Sequence, residues 1–415
     1  MKTRHIFELE PQDTLFFRDA RPMQAGAGSG GHGANWPLPS VLHEALRAAL
    51  LQATGRVPAA KALRGHKNPT GKERMFVTRD FESLRTVGPF PVVDGTVYLP
   101  TPADVIPVED GKVALMAPMN PGRGVANYPT SWFKPIGAPV RPGKQELDRW
   151  ISMLDFERLL RASGMVEVPA PPKLWQVEHR IGVGIDPTTR AAAEHSLYSA
   201  EHLRPVNGMR LCLEARVAAD APAREIQALE SLVGNHLTLG GESRICRIAP
   251  GVEFRWPEPP RNVTRIKWVL VTPAVFTGGW LPNWVRKENG RVWLKCGDLR
   301  RLPNEDRKTW RERVRRLPEI KARLIAVCSG KPLAFSGWDL TGVTGEKSDA
   351  GAGAPKATRL AVPPGSVYYF EADTPEQGNA LVQALHGRTL SDFYGEKGMG
   401  LGFCGQWEWM EMEFA

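Results

Sequence analysis

Glycines set beside arginines are the residues with the clearest chemical potential, and that chemistry is the holding of an anion. Leu239-Gly240-Gly241-Glu242-Ser243-Arg244 bends at its glycine pair and delivers Arg244 at the start of an alternating, strand-like segment. A backbone without Cβ turns tightly and lets a ligand come close, and a guanidinium presents a planar fork of donors to a phosphate. A second loop of the same make, Gly398-Met399-Gly400-Leu401-Gly402, leads into the last strand, with Trp407 and Trp409 after it. Its amides either face an anionic backbone or only shape a turn between helix and strand, and the residues leave both readings open. Arg18 and Arg21 flank Asp19 at a strand end, just before a glycine-rich run over residues 25–34. Arg47 falls at the edge of the helix that follows. His179, Arg180 and Arg190 lie in yet another place, the base and tip of an extended arm.

The other chemistries fare worse. There is no H-E-x-x-H, G-x-S-x-G or paired-carboxylate metal motif, so no metal and no catalytic constellation is expected. Gly400-Leu-Gly402-Phe-Cys-Gly405 matches G-x-G-x-x-G, but a strand follows it where a dinucleotide site needs a helix, so no cofactor is expected. Among nine histidines only His32 and His43 stand near other candidates; either is the conceivable general base of an RNA-cleaving reaction. The five cysteines show no C-x-x-C spacing and read as reduced thiols of a cytoplasmic protein. A formal charge of +9 favours an acidic partner, nucleic acid ahead of membrane. Residues 1–5 lead into alternation without a signal-peptide core, and no apolar run is long enough to span a bilayer.

These residues must be positioned by regular elements. His5–Phe17 alternates like an opening strand. Ser40 is the expected N-cap of a helix with Val41, Leu42, Ala45, Leu46, Ala49 and Leu50 on one face. Residues 56–144 are broken by Pro and Gly and read as a loop-rich insertion with short strands such as Thr96–Leu99, followed by a short helix near residues 147–160. Residues 175–204 read as a projecting hairpin, and Gly208–Val217 as a strand. Asp220 is the expected cap of a helix lined by Ile226, Leu229 and Val233. The glycine-pair strand completes strand, helix, two strands, helix, strand. Trp256-Pro-Glu-Pro-Pro-Arg261 cannot continue regular structure and reads as the linker.

The pattern then restarts. Residues 265–276 are apolar on both faces, as a central strand is. A helix over residues 305–317 turns Trp310, Val314 and Leu317 inward among arginines, and strands cover residues 320–328 and 366–371. Thr374-Pro-Glu-Gln377 is a capping box opening a helix that Gly387 ends. A phase change near Trp409–Met410 suggests a bulge, and residues 342–357 read as a mobile Gly/Ala/Lys stretch. The expected fold is α+β, with two ferredoxin-like (RRM-like, βαββαβ) domains over residues 1–258 and 259–415, inserted loops and the projecting hairpin.

Arg18-Asp-Ala-Arg21-Pro22, Trp36-Pro-Leu-Pro-Ser40, His179-Arg-Ile-Gly182, Leu239–Arg244, Ser336-Gly-Trp-Asp339, Gly365-Ser-Val-Tyr-Tyr-Phe370 and the terminal glycine loop occur in this order. Together they resemble the third-subunit family of the Cmr complex, RAMP-superfamily proteins of type III-B CRISPR effectors, over nearly the whole chain. The resemblance implies a subunit that is not the nuclease. It would hold the 5′ tag of the CRISPR RNA and join the large palm-domain subunit to a RAMP backbone subunit, touching target RNA only indirectly and no membrane. It places Arg18, Arg21, Trp36, Ser40, His179, Arg180, Gly240, Gly241, Arg244, Gly398, Gly400 and Gly402 on the tag side. Arg47 and Arg190 join them as RNA-binding candidates from the residue reading above. Ala20, where the family often has glycine, and Glu44-Ala-Leu-Arg47, which lacks a helix glycine, depart from the pattern. Two rivals are a RAMP endoribonuclease that processes CRISPR precursor RNA through His32 or His43, and a purely structural adaptor.

Overall fold

A computed structural model describes residues 4–19, 34–56, 80–108, 112–119, 132–144, 147, 149–186, 188–297, 299, 301–302, 305–339 and 354–410. It is a mixed α/β protein built on two antiparallel sheets. In chain order the elements that matter are β1 (Arg4–Pro11), α1 (Pro39–Ala53), β2 (Arg85–Val93), β3 (Thr96–Pro100), β4 (Trp150–Ser152), α2 (Met153–Arg161), β5 (Trp175–Ile185), β6 (Ala192–Pro205), β7 (Arg210–Arg216), α3 (Ala223–Glu230), β8 (His236–Thr238) and β9 (Ile245–Pro250). They are followed by β10 (Arg265–Leu270), α4 (Arg307–Arg316), β11 (Ala322–Cys328), β12 (Val367–Ala372), α5 (Pro375–Leu385), β13 (Arg388–Thr389) and β14 (Leu401–Gln406).

The first sheet has seven strands in the order β8-β9-β1-β7-β2-β3-β4, and the second has five in the order β11-β12-β10-β14-β13. Both alternate their side chains between two buried faces. In the first, Leu9, Leu211 and Leu213 pack under Leu42, Leu46 and Leu50 of α1 and Leu229 of α3. Its other face, with Ile6, Phe90 and Cys212, shares a core with Val269, Tyr369 and Phe403 of the second sheet and with Phe156 and Leu159 of α2. The far face of the second sheet buries Trp268, Tyr368 and Phe370 under Leu381 and Leu385 of α5. Burial on both sides explains why β10 reads as an unbroken apolar run. Trp256, at the head of the segment read as a linker, packs in the core between the sheets: it stacks on Phe403 at 5.1 Å and donates its indole N–H to Glu214 at 3.2 Å.

Several expectations are corrected. The opening strand stops at Pro11, and the chain beyond meets the arm through a Leu15–Leu203 bridge. Residue 38, not Ser40, caps α1, and it makes no side-chain cap bond; Pro39 starts the helix with its φ already set. Pro222, not Asp220, precedes α3, and Val233 is 45% exposed. The strand β2 was hidden by Pro89 and Pro91, which rarely sit inside a sheet; a register shift between Cys212 and Glu214 accommodates it beside β7. Thr374 accepts a hydrogen bond from the Gln377 amide, but the Gln377 side chain turns to the Lys321 amide, so only half of the capping box forms. The helix α4 buries none of its residues. Residues 342–353 lie outside the described residues.

The insertion is pinned to the second sheet by a buried charge pair. Asp104 accepts from Lys267 Nζ at 3.3 Å and from the Tyr369 hydroxyl at 3.0 Å, and both charged side chains are almost fully buried. Burial and the adjacent Asp104 carboxylate push the Tyr369 hydroxyl well above its ordinary pKa, so it stays a donor.

Candidate nucleic-acid interface

The long hairpin β5–β6 projects from the first sheet. Its register sets Glu178 opposite His202, Arg180 opposite Ala200 and Gln176 opposite Arg204, which places Glu178, Arg180, His202 and Arg204 on one face. That face meets two other segments at the arm's base: residues 12–19 beyond β1, and the turn between β8 and β9. The turn is the glycine pair. Gly240 has φ +80°, Glu242 and Ser243 have φ +53°, and a Cβ on Gly240 would lie 2.4 Å from the Phe16 carbonyl oxygen. The Gly241 amide donates to that same carbonyl at 2.8 Å. The glycines are therefore required by the close approach of the chain to itself, while the outer side of the turn stays exposed at Gly240, Glu242 and Ser243.

The three segments assemble an ionic network. Asp13 accepts from Arg180 at 3.1 Å and from Arg244 at 3.1 Å, and lies 3.5 Å from Arg204. Glu178 binds Arg180 at 2.7 Å and also pairs with Arg204. Glu242 binds Arg244 at 2.7 Å and lies 3.3 Å from the ring of His202. Arg204 and Arg180 direct side-chain hydrogen bonds to Glu178 that hold its carboxyl down at about 2. Burial opposes a downward shift at Asp13, but the Thr14 amide and Arg180 outweigh it. His202 is fully buried, stacks on Phe16 at 5.0 Å, and is held below its ordinary pKa chiefly by burial. With His202 neutral, three guanidiniums balance three carboxylates.

Such a network holds long side chains in place before any ligand arrives, which lowers the ordering cost of gripping a phosphate. The network is not closed off from solvent: the side chains of Arg204, Arg180 and Arg244 are 47%, 32% and 18% exposed. Of the residues expected from sequence, Arg180, Gly240, Gly241 and Arg244 come together here; His179 is exposed in the row of Val177 and Ile181, on the arm's opposite face. Arg18 is exposed where residues 12–19 leave this site and has no ion-pair partner among the described residues. Asp13, Glu178, His202, Arg204 and Glu242 were not anticipated. The signal for the arm residues was an ionisable side chain at every second position, Glu178/Arg180 and His202/Arg204, legible only once the strand register is known.

The remaining candidates lie elsewhere. Arg190 is exposed at the arm's tip, more than four residues beyond Arg180 along an extended strand, and so roughly 15 Å or more from the network. Exposed Val177, Ile181, Val183 and Leu197 make the arm's other face apolar. Trp36 stacks on Trp175 at 5.0 Å and donates its indole N–H to the Pro89 carbonyl at 2.9 Å, so it anchors the base of the arm. Ser40 is half-buried in the first turn of α1. Arg47 is buried and donates to the Asp80 carbonyl at 3.0 Å, a structural use in place of the expected RNA contact. Arg21 and His32 lie outside the described residues.

The terminal glycine loop is corrected most firmly. Gly398, Gly400 and Gly402 are buried. A Cβ on each would lie 2.7 Å from Thr86 O, 2.4 Å from Leu390 O and 2.3 Å from Trp268 Nε1, respectively. The Gly398 amide donates to Gly395 O at 3.1 Å and the Gly400 amide to Pro273 O at 2.7 Å. These glycines let strands and loops pack; their amides do not face outward. His43 is likewise buried, with Nδ1 3.0 Å from the Thr86 hydroxyl, and burial brings its pKa down to about 4.

Among the described residues no group of three His, Cys, Asp or Glu side chains is placed to hold a metal, and no helix is long and apolar enough to cross a membrane. The family model for CRISPR-associated protein (Cas_Cmr3) matches residues 7–407. No curated protein matches the chain. Among solved structures, the chain is similar at 16% identity and TM-score 0.41 to a chain of the type III-B Cmr-beta complex bound to cognate target RNA and AMPPnP, covering 88% of this chain and 86% of that one. It is similar at 12% identity and TM-score 0.35 to a chain of the Csm3–Csm4 subcomplex of the type III-A interference complex, covering 90% and 94%. A chain of the Csm1–Csm4 cassette with pppApA is similar at 15% identity and TM-score 0.32, covering 68% and 81%.

Proposed function

The chain belongs to the CRISPR-associated Cas_Cmr3 family, and on that premise we propose that it is the guide-RNA-binding subunit of a type III-B CRISPR effector. It holds the 5′ tag of the guide at the foot of its arm and works by recognition rather than catalysis. The observation that carries this reading is the convergence of Arg180, Arg204 and Arg244 on Asp13, beside the exposed outer side of the Gly240–Ser243 turn. Arg18 adds a guanidinium next to this network, His179 meets the guide from the arm's other face, and Arg190 reaches it farther along. The apolar face of the arm lies against the guide at the tag–spacer boundary, where it displaces a base. The palm-domain subunit and the first backbone subunit flank it in a cytoplasmic assembly.

Both sheets are read as ferredoxin-like, divided near residue 258. The support is their strand order: the fourth, first, third and second strands of βαββαβ stand side by side in β9-β1-β7-β2 and again in β14-β10-β12-β11. Tag gripping by backbone and arginine contacts follows the usual logic of single-stranded RNA recognition. The test is a salt titration of binding to a single-stranded RNA bearing the repeat-derived 5′ tag. Replacing Arg180 and Arg244 together by Gln removes two phosphate contacts and makes the slope of log affinity against log salt shallower by about 1.4. Affinity unchanged at every salt concentration defeats the assignment. Metal-independent cleavage of repeat RNA, lost in His43→Ala, favours the nuclease instead.

A further inference from the structure

In the first unit the helix after the opening strand, α1, is held by a buried apolar face. Its counterpart in the second unit, α4, is not. Leu281, Trp284 and Val292 cover that part of the second sheet, and α4 has no buried residue. Its sequence, Arg307-Lys-Thr-Trp-Arg-Glu-Arg-Val-Arg-Arg316, carries six cations and one carboxylate. Arg313 is committed to Glu305 at 2.8 and 3.1 Å. Arg307, Lys308, Arg311, Arg315 and Arg316 are exposed and have no ion-pair partner among the described residues.

Arg307, Arg311 and Arg315 are spaced by four residues, so they form a column with about 6 Å of rise between neighbours. Like charges at that spacing destabilise a helix. The helix survives through its Asp306 cap, which accepts from the Lys308 and Thr309 amides at 2.7 and 3.0 Å, and through the Trp310 indole N–H on the Leu299 carbonyl at 2.9 Å. A surface helix that adds little to the core yet concentrates uncompensated cations is suited to an anionic polymer. Its charge is mostly arginine, the side chain that matches phosphate geometry. An aromatic face lies close in the fold: Trp293 is 43% exposed on the segment whose next residues pair with the chain just beyond α4, through Ile320 N to Leu294 O and Cys296 N to Pro318 O, each 2.8 Å. Cations and an exposed aromatic ring on neighbouring segments are the combination that single-strand binding uses.

We propose that α4 is a second nucleic-acid surface, separate from the arm base, that binds the phosphates of single-stranded RNA without regard to sequence through Arg307, Arg311 and Arg315. This does not depend on the tag-binding assignment. The test uses the full chain and an unstructured oligouridine, with affinity measured from 50 to 200 mM salt. The Arg307→Gln/Arg311→Gln/Arg315→Gln variant lowers the salt slope by about 2, so the advantage of the unsubstituted chain shrinks about twentyfold across that range. The corresponding Arg→Lys variant keeps the slope. The same loss appears when Arg180 and Arg244 are already Gln, which separates this surface from the arm base. An unchanged slope overturns the proposal, as does loss of polyglutamate binding with oligouridine binding intact, which identifies an acidic protein as the partner. Circular dichroism verifies folding; should the triple variant unfold, Arg311→Gln alone must lower the slope by about 0.7.

Discussion

Asp13→Asn separates what the arm-base network does for the fold from what it does for RNA. The carboxylate touches three guanidiniums, at 3.1, 3.1 and 3.5 Å, yet its side chain is 45% exposed. Exposed pairs are each worth about 0.2–1 kcal/mol, so losing all three costs about 1 kcal/mol after solvent screening. For a chain of this size that is a fall in melting temperature of roughly 2 °C or less. Binding moves the other way, because Glu178 still holds Arg180 and Arg204 in place and Glu242 still holds Arg244. A phosphate held by these arginines sits roughly 6 Å from the carboxylate, where two unit charges in water repel by ~0.7 kcal/mol, so removing the negative charge tightens RNA binding about threefold. The gain is largest at low salt and fades as salt screens it. Fluorescence anisotropy with a tag-bearing RNA at 50 and 200 mM salt, alongside thermal melts, reads both effects. An Asp13→Asn chain that is slightly less stable and binds RNA no better, or worse, at low salt shows that the arginines serve the fold alone.

Two further outcomes follow from the buried groups. Gly402→Ala forces a Cβ to within 2.3 Å of Trp268 Nε1 in the core, and overpacking of this kind costs about 1–3 kcal/mol. Thermal melts should show that loss while RNA affinity per folded molecule holds; full stability with a specific loss of RNA binding contradicts the structural role given to the terminal glycines. His43, brought down to about 4 by burial, binds its proton in the unfolded chain at a pH where the folded chain leaves it neutral. Its contribution is therefore complete above the unfolded value near 6.5 and is lost as pH falls from there toward 4, by up to about 3 kcal/mol. His202 and His386 are shifted the same way. The informative measurement is thus the difference in stability between the unsubstituted chain and His43→Gln from pH 7 to 4, and a difference that does not vary with pH argues against a buried neutral imidazole.

Local order was open to reading wherever it depends on neighbours along the chain. The apolar face of α1, the paired arm strands, the two-faced β10, the Thr374 cap and the tight turn at Gly240 all follow from periodicity, capping and the freedom of glycine. Prolines misled where tertiary packing overrode their preference, as in β2. The two glycine loops looked alike because each contains the same conformational freedom; their surroundings differ. One folds back on Phe16 with an open outer side, and the other is enclosed by Thr86, Leu390 and Trp268.

The charged network shows the limit most plainly. Arg180 and Arg244 could be picked out individually as candidate phosphate ligands, but their common partner Asp13 stands 167 and 231 residues away from them. A side chain's type and its short-range spacing are properties of the chain itself. Which guanidinium lies beside which carboxylate, and which glycine is shut inside, depends on how separated strands come together. That is settled by the burial of apolar side chains on both faces of two sheets, a sum over distant contacts that no local stretch of residues contains.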